Sequence, residues 1–252
     1  MTRHSSSKAK AIALGALLLA ALAGAASAET NIGGHWGRYP GRGVTADPKL
    51  VPPRAGEPDL KEPYASQYKA LRERQRESDA KGEPLANSGT ECLPSGTPGL
   101  MGAIYPLEIL QTQGQVTIIA EANSEVRRIY LNEKLPAADE IPPGYFGYST
   151  GKWEGDTLVV QTIGIKDTVR YRDIAHSDKM RITEKLRLVA PDVLHDVVTI
   201  DDPEVLAKPY TFTFAYGRLK DYKMLEYVCE NNREYVDDKG VARMRLDPES
   251  KK

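Results

Sequence analysis

The stretch that decides the fold is GKWEGDTLVVQT, residues 151–162. Its acidic cluster, residues 154–156, could be a metal site or the turn between two strands. A calcium ion takes about six to eight oxygen ligands, more than this segment offers. Glycine, in contrast, supplies the positive φ that a tight hairpin turn requires. We therefore predict a β-hairpin, with Trp153 in one strand and residues 158–160 in the other.

Alternating apolar and polar residues continue on both sides of this hairpin, from about residue 104 to KMLEYVC at residues 223–229. Such alternation predicts strands, because successive side chains of a strand point to opposite faces. Polar turns separate the strands at near-regular intervals. The pattern predicts a mainly β protein with one antiparallel domain at residues 90–246, closed as a barrel or, as second choice, folded as a sandwich.

The residues between the leader and this domain follow other patterns. Residues 29–61 are rich in Gly, Pro and Arg, which predicts an extended arm. Residues 62–82 consist largely of helix formers and end at a glycine, which predicts one helix. Tyr64, Tyr68 and Leu71 form a narrow apolar stripe on this helix, and we expect that stripe to lie against the main domain.

The first 28 residues are interpreted as a secretory signal peptide. Arg3, Lys8 and Lys10 precede an apolar run, and residues 26–28 supply small side chains for cleavage near Ala28. No later segment is long and apolar enough for a membrane helix. We predict an exported soluble protein, periplasmic or secreted, without stable membrane insertion.

The charge balance excludes one class of partner. Removal of the leader would leave 31 Lys and Arg against 35 Asp and Glu. A chain with this acidic excess lacks the basic stripe that nucleic-acid phosphates require. We therefore expect no nucleic-acid partner.

The two cysteines agree with export. Cys92 and Cys229 lie near the two ends of the strand-rich region. In an oxidising compartment a pair of this kind is more typical of a disulfide than of a zinc site, which would need further ligands. We predict a Cys92–Cys229 disulfide.

Several stretches resemble a widespread group of exported, poorly characterised bacterial proteins. The shared pieces are CLPSGTPGLM (residues 92–101), PLEILQT (106–112), RRIYL (127–131), GKWEGDTLVVQT, the AHS around His176 and DDP (201–203). The resemblance covers most of the chain from about residue 90. The group is lipocalin-like, so the resemblance implies an eight-stranded barrel with a central cavity, and it implies no catalytic motif.

Charged residues on otherwise apolar strand faces are the candidate site residues. Glu184 shares its face with three aliphatic side chains, and Glu121 and Glu226 occupy similar positions. In RRIYL, one of Arg127 and Arg128 must face inward. Buried carboxylates are costly unless they are paired or hydrogen-bonded. These charges could therefore form a Glu–Arg network that stabilises the barrel, they could lie on a face that is simply solvated, or they could line a ligand site.

The leading functional hypothesis is an exported β-barrel that binds an apolar or aromatic small molecule in a central cavity. Tyrosines would suit such a cavity, because each combines an apolar ring with a hydroxyl that can orient a ligand. The candidate ligand-binding residues are Arg127, Arg128, Tyr130, Tyr148, Glu121, His195 and Glu226.

The second hypothesis is an acid–base enzyme that uses the same cavity. His176 and Glu184 would be its catalytic pair, performing isomerase, lyase or hydratase chemistry on an aromatic or terpenoid-like substrate. The sequence contains no HxH, HExxH or Cys/His cluster. We therefore predict no metal and no cofactor.

The third hypothesis is a structural or partner-binding envelope protein that docks through the arm and the predicted helix. An interior filled by side chains would favour this role. A His176–Glu184 contact inside the barrel would favour the enzyme. No sequence pattern predicts an oligomeric state.

Overall fold

A computed structural model describes residues 30–102, 104–229 and 234–244. Nine strands form a closed barrel, which confirms the predicted mainly β barrel over the sandwich. The barrel strands are β1 (Gly34–Arg38), β2 (Leu107–Gln111), β3 (Gln115–Ala120), β4 (Val126–Leu131), β5 (Tyr148–Glu154), β6 (Thr157–Ile163), β7 (Arg181–Ala190), β8 (Val193–Asp201) and β9 (Tyr210–Arg218). The predicted signal peptide and residues 245–246 of the predicted domain lie outside the described residues.

The strands follow one another around the barrel in sequence order, and β1 closes it by pairing with both β2 and β9. Every pairing is antiparallel except that of β4 with β5, where residues 129–131 run parallel to residues 149–151. A parallel pair needs a long crossover, and residues 132–147 provide it. The barrel thus has nine strands and one parallel pair, where the resemblance implied eight strands.

The hairpin predicted from GKWEGDTLVVQT is β5–β6, so the prediction of a turn is confirmed. Glu154 pairs with Thr157 at its end, and Gly155 has a φ of 63°. One Asp156 oxygen accepts a hydrogen bond from Arg187 Nε at 2.9 Å, and the other accepts one from the Thr157 hydroxyl at 2.9 Å. The acidic cluster therefore closes a turn and fixes it to the neighbouring strand.

The first strand lies inside the range predicted as an arm. Gly34–Arg38 (β1) fits between β2 and β9, and its Trp36 is fully buried. Its two glycines and its shortness hide the strand alternation in the sequence. The arm proper follows at residues 39–61.

One α-helix, α1 (Tyr64–Ala80), occurs among the described residues, within the predicted range 62–82. Tyr68 packs against apolar residues at one end of the barrel. Gln75 donates a hydrogen bond to Asp173 at 3.0 Å, and Arg72 lies 3.3 Å from the same carboxylate. Short 3₁₀ helices span Pro48–Leu50, Gly99–Gly102, Ala138–Glu140 and Tyr171–Asp173.

The strand predicted at KMLEYVC is wrong. Residues 223–229 form no strand, and Tyr227 makes a single isolated bridge to Ala122. Leu225 and Val228 are 66% and 63% exposed. Their alternation with polar residues therefore does not correspond to a buried face.

The predicted disulfide is confirmed. Cys92 and Cys229 are bonded, and the bond attaches the segment after β9 to the loop before the Gly99–Gly102 helix. A separate hairpin, β10 (Glu234–Val236) with β11 (Ala242–Met244), follows this segment. Within the described ranges, no helix has the length and apolar character needed to cross a membrane.

Apolar side chains occupy the barrel interior in two clusters. One contains Trp36 and Leu186, and the other contains Ile182 and Phe212. Glu184 lies on β7 between Ile182 and Leu186, so a buried carboxylate separates the two clusters. The alternation of β7 brings this charge to the interior.

Candidate functional site

A network of buried polar side chains crosses the middle of the barrel. Arg127 Nη1 donates a hydrogen bond to Glu184 Oε1 at 2.8 Å, and its Nη2 donates to Oε2. Nη2 also donates to the Thr162 hydroxyl at 3.0 Å and to the Ser149 hydroxyl at 3.2 Å. Arg127 and Glu184 are 1% and 0% exposed. This is the buried Glu–Arg network that the sequence left open as one of three interpretations.

Asp196 lies beside this network and interacts with both Glu184 and Arg127. It is not among the site residues predicted from the sequence. It is fully buried on β8, and neither carboxyl oxygen has a hydrogen-bond partner among the described residues. Burial, and then the negative charge of Glu184, raise the pKa of Asp196 well above its ordinary value, although Arg127 opposes the shift. With Asp196 protonated, Arg127 and Glu184 balance each other and no net charge is buried.

The alternation of apolar and polar residues in LHDVVTID, residues 194–201, indicates that Asp196 faces the interior. It places this residue on the same strand face as Leu194 and Val198, which are both fully buried. The same reasoning identified Glu184 on the neighbouring strand. Apolar side chains of the interior, including Trp36 and Ile118, are also inaccessible to solvent. Protein side chains therefore occupy the centre of the barrel.

The structure does not bring His176 and Glu184 together. The ring nitrogens Nδ1 and Nε2 of His176 lie 3.0 Å from the Ser177 carbonyl and 2.9 Å from the Lys166 carbonyl. Both Glu184 oxygens accept hydrogen bonds from Arg127. His176 lines a separate small cavity of about 20 Å³ that has room for about one water molecule.

Three other candidate residues lie on the outer face of β4 and β5. Arg128 is exposed, whereas its neighbour Arg127 points inward. The rings of Tyr130 and Tyr148 stack with their centroids 5.2 Å apart, and the Tyr148 hydroxyl donates a hydrogen bond to Glu133 at 2.8 Å. These tyrosines therefore form a surface pair.

The remaining candidates hold peripheral segments. Glu121 accepts a hydrogen bond from the Tyr222 hydroxyl at 2.5 Å, which raises the pKa of Tyr222 to about 12. His195 Nε2 lies 2.9 Å from the Leu50 carbonyl in the arm, and Glu226 is exposed. The candidate residues thus lie in different parts of the molecule. Among the described residues, no three His, Cys, Asp or Glu side chains are placed to hold a metal ion together.

A cavity of about 310 Å³ lies elsewhere, along the edge of β9. We define the aromatic pocket as this cavity, whose lining includes Tyr171, Phe212, Phe214, Tyr216 and arm residues 51–55. It exists because β1 pairs with only residues 216–218 of β9, so residues 210–214 have no strand partner on that side within the described ranges. The arm covers this edge in place of a strand.

The aromatic side chains of the pocket pack against one another. The Tyr171 ring stacks on Phe212 with centroids 4.7 Å apart and meets the edge of Phe214 at 5.8 Å. Burial raises the pKa of Tyr171 to about 12, so its hydroxyl stays neutral. Tyr216 donates its hydroxyl hydrogen bond to the Met101 carbonyl at 2.5 Å. The pocket wall thus combines aromatic rings with polar groups, and the Tyr216 hydroxyl is fixed by its hydrogen bond.

The arm is attached on both sides of the pocket. Leu50 is held by His195, and the Gly56 carbonyl accepts a hydrogen bond from the Tyr210 hydroxyl at 3.0 Å. Residues 51–55 between these two points include two prolines, which restrict the backbone. The pocket is not evident in the sequence, because the arm and β9 are far apart in the chain.

No protein-family model and no curated protein matches this chain. The function proposed below rests on the fold, the aromatic pocket and the charges around it.

Proposed function

We propose that this protein binds an apolar or aromatic small molecule in the aromatic pocket. The observation that supports this most is the pocket itself, with its volume of about 310 Å³ and its aromatic wall. Small-molecule sites generally have volumes of about 300–1,000 Å³ and apolar, aromatic linings with a few polar groups. The proposal keeps the ligand class expected from the sequence and moves the site from the barrel centre to the edge of β9.

The lining favours binding over acid–base catalysis. The described residues that form the aromatic pocket include no carboxylate and no imidazole. A proton-transfer enzyme needs such a group within hydrogen-bond distance of its substrate. The buried Glu184 and Asp196 do not line the pocket, and His176 lines a different cavity.

The filled centre of the barrel supports a structural role, but it does not account for the pocket. The aromatic pocket lies where the arm replaces a strand, and a purely structural barrel has no need of an unfilled cavity there. Apolar ligand surface would be removed from water in this cavity, at about 25 cal/mol per Å². We therefore favour ligand binding.

Filling the pocket tests the proposal. Thr213 is half-buried and lines the pocket, so Thr213→Trp should occupy it and weaken binding of the neutral fluorescent probe N-phenyl-1-naphthylamine at least about tenfold. The measurement is the rise in probe fluorescence on titration with the full mature chain.

Thr211→Trp is the matched control. Thr211 lies on the same face of β9, is exposed, and does not line the pocket. This variant should bind the probe as the wild type does. Equal binding by Thr213→Trp and the wild type, or no binding by the wild type, would show that the pocket is not the site.

We also propose that the protein is exported, as a member of the lipocalin-like group that its sequence resembles. The support is the leader pattern in residues 1–28 together with the Cys92–Cys229 disulfide. Disulfides form and persist in the periplasm and outside the cell, and they are rare in the cytosol.

A further inference from the structure

We infer that the natural ligand of the aromatic pocket is an amphipathic anion, with an aromatic or other apolar body inside the pocket and its negative group held between Arg38 and Arg54. This inference rests on the proposed function and adds the charge of the ligand to it. Two observations support it: both arginines line the pocket, and neither is paired with a carboxylate of the described residues.

Arg38 is held at the pocket by the barrel itself. It is the last residue of β1, and its Cα pairs with that of Tyr216 on β9. The next residue, Tyr39, donates a backbone hydrogen bond to the Ala215 carbonyl at 2.8 Å, which fixes the chain on both sides of Arg38. The Arg38 charge also acts on the Tyr171 hydroxyl inside the pocket, where it opposes the effect of burial on the Tyr171 pKa.

Arg54 faces the same cavity from the arm. It follows Pro52 and Pro53 and lies between the two attachments of the arm, at Leu50 and Gly56. Its backbone position is therefore constrained although its side chain is exposed. The two arginines thus approach one cavity from separate segments.

Neighbouring arginines have acceptors, whereas these two have none among the residues that the structure describes. Arg172 donates to the Tyr210 hydroxyl and lies 3.8 Å from Glu57, and Arg218 lies 3.5 Å from Asp192. In the described part of the chain, neither Arg38 nor Arg54 has a carboxylate within 4.0 Å. No acidic residue of the described ranges lines the cavity either.

This arrangement selects for negative charge. Aromatic faces alone would attract a cation, but two guanidinium groups in the same lining repel one. A guanidinium presents paired donors in the spacing of a carboxylate or a similar oxyanion. Because the mature chain carries more acidic than basic residues, the attraction is local to the pocket and is not a property of the whole surface.

Two probes with the same ring system separate charge recognition from apolar binding. 8-Anilinonaphthalene-1-sulfonate carries an anionic group, and N-phenyl-1-naphthylamine is the same body without it. We expect the mature wild type to bind the anionic probe about three- to tenfold more tightly, as expected for partly exposed charge pairs. The double variant Arg38→Gln/Arg54→Gln should lose this preference and keep its affinity for the neutral probe.

The control variant is Arg181→Gln/Lys185→Gln, which removes the same charge from the exposed face of β7, outside the pocket lining. It should keep the preference. Raising the salt concentration should reduce the preference in the wild type, because these charges are partly exposed to solvent.

The outcomes are distinguishable. Neutral-probe binding that Thr213→Trp abolishes, without an anion preference or with a preference that survives in the Arg double variant, overturns the inference and leaves the proposed function intact. Failure of the neutral probe to bind the wild type, or binding that Thr213→Trp does not affect, overturns both.

Discussion

The stability of the barrel depends on pH through the buried side chain of Asp196. Its pKa is raised in the folded protein by burial and by Glu184, whereas in the unfolded chain it returns to about 4. Between these two values the folded protein binds more protons than the unfolded chain. The stability contributed by protonated Asp196 is therefore complete below about pH 4 and is lost as pH rises through the folded pKa.

We predict that Asp196→Asn removes this pH dependence. The free energy of unfolding of the variant, relative to the wild type, should increase as pH rises from about 4 to 8, because an amide has no proton to lose. Urea unfolding at several pH values measures this difference.

Asp201→Asn is the control, because it removes an exposed carboxyl from the end of the same strand. If the Asp196→Asn and wild-type stabilities follow parallel curves against pH, Asp196 does not take up a proton on folding over this range. Parallel curves would also mean that a net negative charge is buried beside Glu184.

At the residue scale, the sequence predicted the kind of network but not its members. Alternation put Glu184 inside and required one of two adjacent arginines to join it, and both expectations agree with the structure. The choice of Arg127 over Arg128 depends on the register of β4, which the sequence alone leaves open by one residue. The strand register likewise places Tyr130, Tyr148 and His195 on the outer face of the barrel.

Among the elements, the β5 strand is bounded by two glycines with similar backbone conformations and different surroundings. Gly147 precedes the strand with a φ of 61°, and Gly155 follows it with a φ of 63°. A Cβ at Gly147 would lie 2.3 Å from the Ile163 carbonyl oxygen, whereas a Cβ at Gly155 would have no atom within 4 Å. A side chain at Gly155 would therefore introduce only backbone strain, whereas one at Gly147 would introduce both strain and steric overlap.

We predict that Gly155→Ala lowers the free energy of unfolding by about 1–3 kcal/mol, the cost of a positive φ at a residue other than glycine. Gly147→Ala should cost clearly more, because the backbone must also move away from the Ile163 carbonyl. Urea unfolding of both variants at pH 7 measures the difference. Equal losses would show that the surroundings of Gly147 relax without cost.

Element prediction succeeded where alternation and turn residues coincide, as in β5–β6, and failed at the two ends of the barrel domain. GHWGR contains too few side chains for a visible alternation, yet hydrogen bonds to two neighbouring strands make it β1. KMLEYVC alternates well, but a disulfide and an isolated bridge hold it outside the barrel. Strand formation there depended on an available partner edge.

At the scale of the whole molecule, the proposed export predicts where the protein is found and where its N-terminus lies. If residues 1–28 are a signal peptide, the protein expressed with its leader in a bacterial host should be recovered from the periplasm with its N-terminus near Glu29. Intact-mass analysis reads this directly. Ala28→Arg places a large charged residue at the cleavage position and should leave the leader attached. A wild-type chain of full length in the periplasm would contradict the proposed cleavage.

The aromatic pocket could not be predicted from the sequence, because it is a property of the closed molecule. Its walls come from the end of β1, the arm, the Gly99–Gly102 helix, Tyr171 and β9. None of these segments carries a local motif for ligand binding. Only the incomplete pairing of β1 with β9 brings them together.

That pairing also sets the order in which the chain can fold. The first strand is flanked by β2 and β9, so Trp36 finds one of its partners at Arg218, near the far end of the chain. Contacts of such high sequence separation are slow to form, because a long loop must be ordered before they do. During synthesis, β1 is the first strand of the barrel to emerge and must wait for β9, the last strand of the barrel. Until β9 arrives, the barrel stays open at that seam.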